Sequence, residues 1–220
     1  MTSDTEPASV LVPAPQRFYG AAIWDEPPAG PDSQADRPDP RWRRLATGHR
    51  LRTALPVALV LALATFLRFW QLDRVGFNSD EAVYSGTAAS LAGNDTLRSM
   101  FPVFRAHPLF LQILLSWGMH GELSDWSARA VTALIGVAAV LATYALGRRL
   151  YDHRVGLLAA LILAVMPYHV VVSRQVLLDG LMTLCATLVL YCVARYVESA
   201  ALPWMLASCA LMGATVLAKE

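Results

Sequence analysis

The stretch TALPVALVLALATFLRFWQL, residues 53–72, decides the fold. Its core, Ala54–Leu67, is almost wholly apolar, and roughly 20 residues rising 1.5 Å each cross a bilayer core. Pro56 falls near the start, where a first helical turn tolerates it. Arg68 sits near the far end, where it can snorkel to the interface beside Phe69 and Trp70. The wider composition agrees: 55% of the 220 residues are hydrophobic and the mean hydropathy is +0.42. A soluble domain of this size lacks the interior to hide so much apolar surface. The expected fold is therefore an all-α integral membrane protein.

Upstream, residues 1–52 form a separate region rich in Pro, Asp, Ser and Ala, and read as a disordered tail. A cleaved signal peptide does not fit, because the first apolar run begins after residue 50. The tail closes with Arg41, Arg43, Arg44, His49, Arg50 and Arg52. Basic residues flanking a first span hold that end in the cytoplasm, and no nucleic-acid partner is needed to explain them. The net charge of +1 adds nothing for nucleic acid.

Downstream lies FNSDE, Phe77–Glu81, the start of an external loop covering residues 73–127. Asn78 or Ser79 can cap an interfacial helix from about Asp80 to Leu91, ended by Gly93 and Asn94. Carboxylates in a first turn are favourable against the helix dipole without any functional reason. Asp80 and Glu81 also sit at a membrane boundary beside apolar walls, a setting that raises carboxyl pKa values and marks sites. Further along, Leu109–Trp117 is apolar but short for a span, so it reads as a re-entrant or surface-lying helix. His107, just before Pro108, is a candidate phosphate or metal ligand, though a lone His there is more often an ordinary surface residue.

Four further spans are expected at about 128–150, 155–172, 181–197 and 202–217, giving about five with the first. The cluster Arg148, Arg149, His153 and Arg154 belongs on the cytoplasmic side, in agreement with the first basic cluster. Parity then places Arg174, Asp179 and Lys219 on the external side with Asp80. Arg174 and Asp179 are polar groups interrupting apolar sequence, costly unless they face water or each other; a plain inter-helix turn is the other reading. Cys185, Cys192 and Cys209 lie in apolar runs without metal spacing and read as packing residues.

The order of these elements carries a resemblance. A basic N-terminal end and a span are followed by an exit with Phe69 and Trp70, an external Asp80-Glu81 and a His107-Pro108-Leu109-Phe110 helix. Then come a span ending Gly147-Arg148-Arg149-Leu150-Tyr151-Asp152, a span with Pro167, Ser173-Arg174, Asp179, and a fifth span ending Leu217-Ala218-Lys219-Glu220. Over about Leu67–Glu220 this resembles the N-terminal half of type C glycosyltransferases that use polyprenyl-phosphate sugars, such as protein O-mannosyltransferases and lipid A aminoarabinose transferases. The resemblance implies Asp80 as catalytic base, Glu81 as a group positioning the acceptor or a metal, and Asp179 as a second acidic cavity residue. It implies a polyprenyl-phosphate donor of a mannose-like sugar, an acceptor protein or glycan, and transfer by inversion on the extracytoplasmic face of the cell membrane. Lys219 matches a Lys-containing stretch that faces the lipid phosphate. The relatives carry Pro-Pro after the polar residue of the external helix, so the shifted His107 departs from their pattern.

A leaving phosphate needs a cation, and Arg174, Lys219 or a divalent ion would serve. The sequence leaves the cofactor open: no motif forces a metal, and a divalent ion, if one binds, would be Mg²⁺ or Mn²⁺ on Asp80 and Glu81. Relatives have roughly twice as many spans, so the expected partners include C-terminal helices supplied by another chain as well as membrane lipid. A non-catalytic or truncated subunit is the second reading. A small transporter is the third, disfavoured because the acidic groups sit at span ends.

Overall fold

The computed structural model describes residues 41–101, 108–119 and 124–219. All contacts below lie within the unit Arg43–Glu220. Among the described residues the secondary structure is helical, with no strand. In chain order the helices are α1 (Arg41–Phe69), α2 (Ser79–Leu91), α3 (Asp95–Met100), α4 (Phe110–Met119) and α5 (Asp125–Leu150). They continue with α6 (His153–Val165), α7 (Pro167–Ser173), α8 (Leu178–Ser199) and α9 (Leu202–Ala218).

Length and hydropathy qualify α5 and α8 as membrane-crossing helices. The pair α6–α7 joins them if counted as one span, but it bends by 65° at a break before Pro167. The apolar part of α1, Thr53–Phe69, and α9 are shorter apolar helices. Proline explains the bend, since it has no N–H for the carbonyl four residues back and its ring clashes there. The expected straight passage over 155–172 is thus two helices. α1 corrects another expectation: it begins at Arg41, so residues 41–52 are helical rather than structureless and Pro56 lies inside the helix. Arg, Leu and Ala are strong helix formers, and the turns before Thr53 extend a helix already set by the apolar run. Residues 1–40 lie outside the described part.

α5 is the centre of the bundle and packs against α4, α6, α7 and α8, while α9 packs on α8. The α1–α5–α6 seam is built of Val60, Ala64, Val140, Tyr144, Ala160 and Ala164. Small residues let membrane helices approach closely, which is where their association energy arises. Gly147 and Gly156 carry this furthest: a Cβ on Gly156 would lie 2.6 Å from the Arg148 nitrogen and 2.7 Å from the Tyr144 carbonyl oxygen. Both atoms are backbone and cannot move aside. Gly156→Ala is therefore expected to lower stability by about 1–3 kcal/mol through overpacking, read as a lower melting temperature in detergent. At the same end, Arg149 pairs with Glu198 and ties α5 to α8.

Apolar side chains cover the outer faces, among them Leu59, Leu141, Leu158, Leu190 and Met212. In water this would be an aggregation surface; in lipid it is a matched one. Trp70, Trp117 and Trp126 stand exposed at the opposite end from Arg149, a placement suited to an interfacial aromatic belt. α4, with 10 residues, is too short to cross. It buries Leu111 and Leu115 completely in the cluster that also holds Ala88 of α2 and Ala128 of α5. It therefore lies against the protein at that end.

Arg68 departs from its expected place at the interface: it is fully buried. Its guanidinium donates to the carbonyls of Ala64 and Ala164 (both 3.1 Å) and Leu163 (3.5 Å), and lies 2.8 Å from His169 Nδ1. The Leu163 and Ala164 carbonyls lack helical partners because the helix breaks at Pro167. An unmet carbonyl at membrane depth costs several kcal/mol, and Arg68 meets two of them. Room for it comes from Gly136, whose hypothetical Cβ would sit 3.0 Å from Arg68 Nε and 2.4 Å from Ser173 Cβ.

Candidate functional site

The loop from α1 to α2 sets the site. α1 ends with Gln71 in the left-handed region at φ 51°, an unfavoured conformation for a residue with a side chain. Arg174, at the end of α7, donates to the carbonyls of Leu67 (3.3 Å), Trp70 (2.8 Å) and Gln71 (3.2 Å). Leu67 lies in the last turn of α1, whose carbonyls a helix end leaves without intrahelical partners, so Arg174 caps α1 and holds the turn after it from another helix.

α2 is capped by Asn78, which settles the choice between Asn78 and Ser79. The Asn78 side chain accepts from the Glu81 N–H (2.9 Å) and Glu81 accepts in return from the Asn78 N–H (3.1 Å), a complete capping box. The helix closes before Gly93, whose φ of 99° suits glycine.

Beyond the box, Glu81 meets Arg129 of α5 through two parallel bonds, Nε to Oε1 and Nη2 to Oε2, both 2.8 Å. The Val176 N–H gives Oε1 a further bond at 3.0 Å. All four acceptor positions of Glu81 are then in use. Arg129 donates as well to the carbonyls of Leu72 (3.1 Å), Val75 and Gly76 (3.0 Å), and the Phe77 ring stacks 5.1 Å from its guanidinium carbon. All five of its N–H groups are occupied. The side chains are 5% and 1% exposed. This buried pair joins the α1–α2 loop, α2, α5 and the α7–α8 loop at one point.

Burial by itself would raise the Glu81 carboxyl, but hydrogen bonds from Arg129, Asn78 and Val176, with the Arg129 charge, outweigh it and hold the group below the usual carboxylate range. The upward shift expected at the membrane edge is reversed for this residue. A depressed folded value means that the pair's contribution is complete above the unfolded value of about 4.3 and is lost as pH falls through the folded one. Acid unfolding should show this loss in the wild type, and Glu81→Gln should flatten it.

Asp80, one residue earlier, points elsewhere and is exposed. Asp179, near the start of α8, accepts a bond from Lys219 Nζ at 2.6 Å. With side chains 45% (Lys219) and 40% (Asp179) exposed, this pair contributes little to stability and opens easily. Its partner carboxylate raises the Lys219 ammonium above its ordinary value. Tyr84, one turn after Asp80, reports how these groups converge. Burial raises its hydroxyl first, the charges of Asp80 and Asp179 add to the rise, and Lys219 opposes it.

The expected residues thus fall into two sets. Asp179 and Lys219 are paired, and Tyr84, one turn after Asp80, packs on the cluster that holds their chain neighbours Leu178 and Ala218. Glu81 and Arg174 line a cleft with Arg129. The role expected of Glu81, positioning an acceptor or a metal, finds no free lone pair there. His107 lies outside the described residues. Among the described residues no group of three His, Cys, Asp or Glu is arranged to hold a divalent ion.

Sequence reading missed Arg129 and Tyr84. The signal for Arg129 was a charge in the first turn of an apolar span, where a partner has to exist. For Tyr84 it was only the spacing of four from Asp80, which puts both on one helix face.

Residues 106–220 match the family model described as dolichyl-phosphate-mannose-protein mannosyltransferase. The match takes in Arg129, Arg174, Asp179 and Lys219 and begins after Asp80 and Glu81. Comparison with curated proteins and with solved structures gave no match.

Proposed function

Because this chain belongs to the dolichyl-phosphate-mannose-protein mannosyltransferase family, we propose that it moves a mannose-like sugar from a polyprenyl-phosphate carrier to an acceptor hydroxyl. The family is one of membrane glycosyltransferases, and the helices fit it. The observation that supports the finer reading is that Tyr84, one turn after Asp80, packs on the cluster holding Leu178 and Ala218, the chain neighbours of the paired Asp179 and Lys219, at the end of the bundle marked by Trp70, Trp117 and Trp126.

In this reading the acceptor oxygen attacks the anomeric carbon as the bond from that carbon to the phosphate oxygen breaks. Asp80 takes the hydroxyl proton, and the carrier leaves as a polyprenyl phosphate. One displacement inverts the anomeric centre. Asp80 suits the role of base because it is exposed, acidic and free of the bonds that occupy its neighbour. Asp179 orients the acceptor, and its ion pair with Lys219 opens as substrate enters. A cation near the leaving phosphate lowers the barrier by offsetting developing charge. The N-terminus is cytoplasmic and the site extracytoplasmic, as the two basic clusters suggest.

The test is transfer of labelled mannose from polyprenyl-phosphate mannose in membranes carrying the chain, with Asp80→Asn beside it. Wild-type transfer that persists in the variant would remove Asp80 from the chemistry. A tag accessible from the cytoplasm at both Met1 and Glu220 would overturn the five-span arrangement.

A further inference from the structure

A second cavity lies at the other end of the bundle, between α5 and α8, and encloses about 450 Å³. Leu146 and Leu150 of α5 line it with Leu190, Val193 and Val197 of α8, and Arg149 and Glu198 stand at one end. The α8 positions, with Ala194 among them, follow the three- and four-residue spacing of a single helix face. From Leu190 to Glu198 the groove therefore follows α8 for about 12 Å. Leu150, Leu190, Val193 and Val197 are all exposed. Other outer faces are apolar too, but this one is concave and ends in charge.

The charge at that end is unbalanced. Glu198 pairs with Arg149 and also lies 3.9 Å from Arg195, so one carboxylate serves two guanidiniums. Arg195 is held in place from the far side, its guanidinium carbon 4.8 Å from the Trp204 ring of α9. Arg149 meets Glu198 through Nη2, and no other partner of its guanidinium is found among the described residues. Over residues 148–154 and 195–198 together, four arginines stand against two carboxylates. An anion bound there would be neutralised by a donor fork that matches phosphate geometry.

The two halves of the groove name one kind of occupant. A free anion would leave the apolar length unused. A second copy of this chain in the same membrane would run parallel, and a shared two-fold face here would set arginines against arginines. A lipid with an anionic head meets both demands, its acyl chain along α8 and its phosphate at Arg149. We propose that the α5–α8 groove holds an anionic phospholipid of the surrounding membrane. This site is separate from the groups around Asp80 and needs no transfer chemistry.

The test is native mass spectrometry of the detergent-purified chain offered phosphatidylglycerol or phosphatidylcholine with the same acyl chains. One phosphatidylglycerol should be retained per chain, with about a tenfold preference or more over phosphatidylcholine, as bonds to a charged group provide. Arg149→Gln should bring that preference below about twofold. The variant should fold, because a pair with both side chains 38% exposed contributes little to stability. Ala194→Trp, which fills the groove and leaves the arginines in place, should lose retention itself. Arg98→Gln removes the same charge from exposed α3 and should leave the preference unchanged.

Equal retention of the two lipids by the wild type would mean ordinary solvating lipid and overturn the proposal. So would a preference that survives in both groove variants, or one that falls equally in Arg98→Gln. A dimer that Ala194→Trp dissociates would make a second copy the occupant instead, and would overturn it too.

Discussion

Replacing Arg129 by Leu is expected to cost the protein about 3–5 kcal/mol, the largest loss of any single change at the site. Breaking a buried pair from one side leaves the other charge without compensation, and that penalty exceeds the net worth of the pair. Here Glu81 would lose two bonds of 2.8 Å and keep only those from Asn78 and Val176. Three loop carbonyls, of Leu72, Val75 and Gly76, would lose their donor as well. Arg129→Lys should recover only part, since an ammonium cannot bridge both carboxylate oxygens and three carbonyls at once. Glu81→Gln should fall between, because the amide oxygen still accepts while the charge is gone. The double change Glu81→Gln with Arg129→Leu should cost less than the two single losses added together, as expected of groups in direct contact. Melting temperatures in detergent for the set give the order; additive losses would mean the two side chains act independently.

The second large effect concerns rate. Asp80→Asn is expected to reduce transfer about 10²–10⁴-fold, the range in which a positioned general base contributes. Its melting temperature should stay near the wild type, because Asp80 is exposed and the capping box uses Glu81 instead. Glu81→Gln should show the opposite balance, a clear loss of stability with activity falling only as far as folded protein does. Neighbouring carboxylates would then separate into a chemical and an architectural role. Equal losses of rate with intact stability in both variants would defeat that division.

This division marks where the chain could be read and where it could not. Local rules reached the α2 start, because Asn78 and Glu81 are three residues apart and a capping box needs nothing else. They also reached the apolar helices and the stop at Gly93. They did not reach the fate of Glu81, whose decisive partner lies 48 residues away, nor that of Asp179, paired with Lys219 across 40. Arg68 shows the same limit. Its position near a span end suggested snorkelling, and only the break at Pro167 supplies the carbonyls that draw it inward. Arg174 was noticed as a cation, but its duty on α1 depends on how a helix end 104 residues earlier turns. Charges in an apolar chain announce that a partner exists; which partner is a property of the packing.

The Arg68 arrangement also has a consequence for biosynthesis. Its acceptors on α6 lie as many as 96 residues later in the chain. At ordinary elongation rates of about 5–20 residues per second, roughly 5–20 s pass between the synthesis of Arg68 and that of Ala164. During that interval a guanidinium without partners favours the membrane surface. α1 should therefore ride shallow at first and settle only when the α6 break emerges. Nascent chains halted before Leu163 would reveal it: a cysteine placed at Phe69 should be more open to a water-soluble reagent than in chains halted after Ser173, and equal labelling would dismiss the delay. On this account the first helix to be made is among the last to reach its final depth.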